Sequence, residues 1–142
     1  VDDGPARWLV FAAVAVIVAD LHLYDRAIRW VVAVSGWLGA VLVIGAPVVG
    51  GEAAPWLADA GLGFGFVVLS AVALKERYCF RVPIVVAVPP LLAGSLIPLR
   101  LGADAVAAAP LVGGAAVLAI LAVAKLRMPL HYDIGDKSHY QV

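Results

Sequence analysis

One cysteine, Cys79, stands in the whole chain. That excludes an intrachain disulfide framework and leaves the redox compartment open. Charge is scarce as well: Asp, Glu, Lys and Arg make up 14% of the residues, against about a quarter in an ordinary soluble domain. Ten acidic and ten basic side chains cancel, so no excess of one sign points to nucleic acid or to an acidic partner. The motifs of common catalysis are missing too. There is no phosphate-binding glycine loop, no His-Glu-x-x-His, no Cys-x-x-Cys and no nucleophile elbow. Gly61, Gly63 and Gly65 look superficially like a nucleotide fingerprint, but they open an apolar helix instead of following a strand. The sequence assigns no catalytic residue and no metal site.

What the chain does have is apolar length. Of its 142 residues, 64% are hydrophobic, more than one soluble core of this size can hide. The charges gather in short clusters and leave runs near the ~20 residues that a helix needs to cross a ~30 Å hydrocarbon layer. Five such runs read as spans, at 8–24, 28–51, 56–74, 82–99 and 105–124. The expected fold class is all-α: a polytopic membrane protein of about five transmembrane helices over residues 1–124, with a polar cytoplasmic tail at 125–142. Trp8–Ala19 is read as a span and not as a signal peptide. Asp2 and Asp3 precede Arg7, and no small-residue cleavage site follows Asp20.

Orientation follows from the basic residues. Five spans put Arg7 and Arg100 on one side and Arg26, Arg29, Lys75, Arg77, Arg81, Lys125, Arg127 and Lys137 on the other, two against eight. The positive-inside bias then sets the N-terminus outside and the C-terminal tail in the cytoplasm. Trp8 and Trp56 fall at the outer interface, and Tyr24, Trp30 and Tyr78 at the inner one, as aromatic belts do.

Small residues suggest where helices touch. Ser35-x-x-x-Gly39 and Gly61-x-x-x-Gly65 permit close backbone approach. Pro89-Pro90, in the middle of the fourth span, removes two donors and predicts a kink or an opening there. Carbonyls freed at that depth must find neighbours or line a cavity.

Polar groups converge on the cytoplasmic side. Asp20, His22, Asp25 and Arg26 end the first span, Lys75, Glu76, Arg77, Cys79 and Arg81 form the densest knot of charge, and His131, Asp133, Asp136, Lys137 and His139 stand in the tail. Imidazole and carboxylate suit several divalent ions, but the spacing has no metal-site signature, and a solvated, headgroup-facing surface explains the same residues. His22, close to a helix end, is placed to ligate a chlorophyll or haem iron from one side; hydrogen bonding to neighbours or headgroups is the plainer reading. Asp20 and Asp59 lie near span ends where water reaches them, which weakens a proton-relay or ion-transport reading. Lys137 or Arg127 is expected to pair with Glu76 and pin the tail beneath the helices. On that reading Lys75, Glu76, Arg77, Cys79, Arg81, Asp133, Asp136 and Lys137 make one docking epitope for another subunit.

Lys75-Glu76-x-x-Cys79-Phe80 after an apolar helix, with Asp133-Ile134-Gly135-Asp136-Lys137-Ser138 near the end, resembles a family of uncharacterised small integral membrane proteins frequent in cyanobacteria. The likeness covers roughly Gly61 to Tyr140, and the tail is its most specific part. It implies a fold and a membrane setting, the bacterial inner membrane or the thylakoid, but no mechanism. Three functions remain open. The first is a non-catalytic accessory subunit or assembly factor, with partners in the bilayer and among other membrane subunits, a photosynthetic complex being the one the resemblance implies. The second is a cofactor binder, with chlorophyll or another pigment, or a metal-dependent enzyme using the His/Asp/Cys layer. The third is an oligomeric transporter or channel around Pro89-Pro90.

Overall fold

The computed structural model describes residues 4–19, 25–80 and 82–127, with the side chains of residues 4–7 and 78–80 excepted. Every described element is helical: α1 Gly4–Ala19, α2 Arg26–Val49, α3 Ala53–Phe80, a 3₁₀ segment Pro83–Ala87, α4 Val88–Arg100 and α5 Asp104–Leu126. Four segments are long and apolar enough to cross a membrane, at Arg26–Val49, Ala53–Arg77, Pro83–Arg100 and Asp104–Leu126. The apolar stretch of α1, Trp8–Ala19, is shorter. The chain is a polytopic α-helical membrane protein, with four candidate spans and one shorter apolar helix among the described residues.

The molecule divides into two compact units. The first contains α1, α2 and α3 as far as Val68. Its core is set by the inward face of α2, where Val32, Ser35, Gly36, Gly39, Val43 and Ala46 are buried at helical spacing. Val34, Trp37, Val41, Ile44 and Val48 occupy the outward face. Lipid is as apolar as any core, so burial here follows shape and not polarity. The two small-residue pairs meet each other. A Cβ added at Gly39 would stand 2.9 Å from the carbonyl oxygen of Gly61 and 3.4 Å from the nitrogen of Gly65. One added at Gly61 would stand 2.8 Å from the Gly39 carbonyl oxygen. Backbone lies on backbone, with no room for a side chain on either helix.

The second unit takes in α3 from Leu69, the 3₁₀ segment, α4 and α5. α4 packs along α5, with Val88, Leu92 and Ser95 of α4 and Ala107, Gly114, Val117 and Leu121 of α5 buried. Leu91 and Leu92 lie over Gly113 and Gly114. Ser95, fully enclosed, donates its hydroxyl to the Leu92 carbonyl at 2.7 Å. The turn into α5 is a Schellman closure: Gly102, at φ 69°, donates to Leu99, and Ala103 donates to Pro98.

Two details depart from the sequence expectations. α3 continues to Phe80, past the end of the span expected at 56–74, so the knot from Leu74 onward is helical through its Lys-Glu-x-x-Cys-Phe stretch. Lys, Glu and Arg are good helix formers, and a helix keeps its hydrogen bonds beyond the apolar layer. The interruption expected at Pro89-Pro90 takes the form of a change from 3₁₀ to α winding just before them. The prolines then fall in the first turn of α4, where missing N–H groups cost little. The Val88 N–H reaches the Val85 carbonyl, an acceptor that neither proline can serve.

Candidate functional site

In the last turns of α3, Glu76 is 3% exposed, and its carboxylate is the buried charge around which the second unit gathers cations. Glu76 Oε1 lies 3.2 Å from Lys75 Nζ and 3.6 Å from Lys125 Nζ. Lys75 is its neighbour on α3, and Lys125 comes from the last turn of α5. Lys125 stands in the last turn of its helix, where the macrodipole favours positive charge. Glu76 Oε2 is enclosed and has no hydrogen-bond partner among the described residues. Burying a carboxylate oxygen unpaired costs about 1–3 kcal/mol, which the two ammonium groups on Oε1 offset.

Of the residues expected in the docking epitope, Lys75 and Glu76 are brought together, and Arg77 is exposed on the outer side of the same turn. Cys79 falls in the last turn of α3, with its side chain outside the described set. Arg81, Asp133, Asp136 and Lys137 lie outside the described residues, as do His22, Asp20, His131 and His139. Sequence reasoning looked for a Glu76 partner in Arg127 or Lys137 and missed Lys125. Glu76 is the only acid between Lys75 and Arg81, and Lys125 is the first cation after the fifth apolar run, but the spacing does not choose between Lys125 and Arg127. Among the described residues, no three His, Cys, Asp or Glu side chains gather.

The first unit carries one hollow of note, an open cavity of about 320 Å³ lined by Val18, Ala19, Arg29, Trp30 and Ala33. It lies between the end of α1 and the start of α2, the two elements that flank His22 in sequence.

Residues 10–142 match the family model described as "Uncharacterized integral membrane protein (DUF2301)". A protein of Haemophilus influenzae, described as "Uncharacterized protein", is 31% identical over 141 residues, which covers 94% of this chain and 73% of that relative. No solved structure matches.

Proposed function

We propose that this chain, which belongs to the DUF2301 family of uncharacterised integral membrane proteins, is a non-catalytic accessory subunit or assembly factor of a larger membrane complex. One observation carries the reading: the outward face of α5. Ala105, Ala109, Val112, Ala116, Ala119 and Val123 are all exposed, and they recur at alternating spacings of four and three. That is the period of a seam between two helices wound in a left-handed pair. Residues this small leave the helix backbone near the surface, the condition for close packing of a second helix in a membrane. The buried seam of α5, through Ala107, Gly114, Val117 and Leu121, already serves α4 on the opposite side.

Trp37 adds to this in the first unit. It sits midway along α2 and is 59% exposed, whereas lipid-facing tryptophan favours the two interfaces. An indole N–H at mid-depth gains from an acceptor that hydrocarbon does not offer.

The setting we propose is a bacterial inner membrane, with the tail on the cytoplasmic side; helical spans and the relative in Haemophilus influenzae support it. The basic bias among α2 to α5 does not depend on whether α1 crosses. The test is extraction from native membranes in mild detergent, then native electrophoresis with absorption and mass spectrometry of the band. Co-migration with a larger complex is the expected result and names the partner, photosynthetic or otherwise. Migration as an isolated chain after gentle extraction overturns the reading.

A further inference from the structure

Lys75, Arg77, Lys125 and Arg127 stand near the ends of α3 and α5 with Glu76 among them. Both apolar spans stop here, at Arg77 and Leu126, so these charges lie where hydrocarbon gives way to headgroups. The arrangement is fixed. Lys75 and Lys125 share one oxygen, and since the distances of 3.2 and 3.6 Å add to 6.8 Å, their ammonium groups stand no farther apart than that. A phosphate that accepts hydrogen bonds of about 2.8 Å bridges such a pair. The Lys75 and Lys125 side chains are 20% and 42% exposed, so their stems lie on protein while the ammonium ends reach the surface.

Glu76 accounts for the pairing of the two lysines. Its carboxylate is enclosed and Oε2 is unpaired among the described residues, which detracts from stability. What the carboxylate does is hold two lysines from two helices at one spacing. We propose that the paired ends of α3 and α5 bind the phosphate of an anionic phospholipid headgroup between Lys75 and Lys125, with Glu76 setting their separation.

The test uses the full chain reconstituted in vesicles of equal phosphatidylglycerol and phosphatidylcholine, with retained lipid counted by native mass spectrometry. The wild type should hold phosphatidylglycerol in excess. The triple variant Lys75→Gln/Glu76→Gln/Lys125→Gln leaves no unbalanced buried charge and removes one net positive charge. Its excess should fall more than about fivefold, beyond the factor for one basic residue acting only through its charge at a membrane surface. If that variant does not fold, Lys125→Gln alone, with Lys75 still balancing Glu76, gives the same readout. Arg77→Gln, which also removes one positive charge, serves as the comparison and should lose about fivefold; a loss there as large as in the triple variant overturns the site. Equal retention of both lipids by the wild type overturns it as well. Inorganic phosphate at millimolar concentration should leave the lipid count unchanged, and displacement of phosphatidylglycerol by it overturns the lipid assignment.

Discussion

The Lys125 ammonium on α5 stands 3.6 Å from the same Glu76 oxygen that Lys75 holds on α3. One carboxylate near the end of α3 is therefore tied to the last turn of α5, and its burial is balanced by two cations. Removing one should be tolerated, because the other remains and Lys125 is partly in water. Lys75→Met/Lys125→Met, which leaves Glu76 buried and uncompensated, should cost about 3–5 kcal/mol. Thermal unfolding of the purified protein in detergent, arranged as a double-mutant cycle, reads this as a loss well beyond the sum of the two single variants. Additive losses would show that Glu76 does not need them.

The contact between Gly39 and Gly61 predicts a contrast among glycines. Gly61→Ala puts a methyl group 2.6 Å from Val43 Cγ2 and 2.8 Å from a backbone oxygen that cannot swing aside. It should destabilise by about 1–3 kcal/mol as the two helices are forced apart. Gly45→Ala on α2 meets nothing within 4 Å and should be neutral or stabilising by about 0.5–1 kcal/mol, since alanine is the better helix former. Melting temperatures of the two variants, measured side by side, decide it.

Pro89 and Pro90 stand in the first turn of α4. Pro89→Ala/Pro90→Ala should change stability by no more than about 1 kcal/mol, where two prolines bending a helix interior would give a far larger response. Circular dichroism should show unchanged or slightly higher helix content. A large loss of stability would mean that the prolines hold the 3₁₀ segment in place and do not merely follow it.

On α5, Ala109→Leu/Ala116→Leu enlarges the outward face without touching the seam against α4. The isolated protein should unfold within about 0.5 kcal/mol of the wild type. Its co-migration with a larger complex in native gels should be lost. Retained co-migration would move the partner to another face.

Much of the membrane architecture was legible because it rests on hydropathy, which needs no tertiary information. Ser35, Gly39, Gly61 and Gly65 were legible for a related reason, since small residues four apart have one main use between helices. The end of α3 was not. Lys75, Glu76 and Arg77 mark where the apolar layer stops, and the sequence reading took that for the end of the helix. The helix runs on to Phe80 because its backbone bonds do not depend on which solvent surrounds it. The Lys125 partnership was hidden for a different reason. Arg127, Lys137 and Lys125 all fall near one another at the end of the fifth run, and choosing among them needs the direction in which α5 presents each side chain. Sequence spacing does not supply that direction without knowing which face meets the rest of the unit.

Three residues separate α2 from α3, and three separate α4 from α5. Closing so short a connection costs little chain entropy, and in each case the helices it joins are the ones that pack. At a synthesis rate of about 5–20 residues per second, Gly61 follows Gly39 from the ribosome within a few seconds. Both residues have been made before α5 is translated. Assembly can therefore proceed in the order of translation, each hairpin settling as its second helix arrives. The ion pair between Glu76 and Lys125 is the late step, waiting for the last turn of α5 to be made.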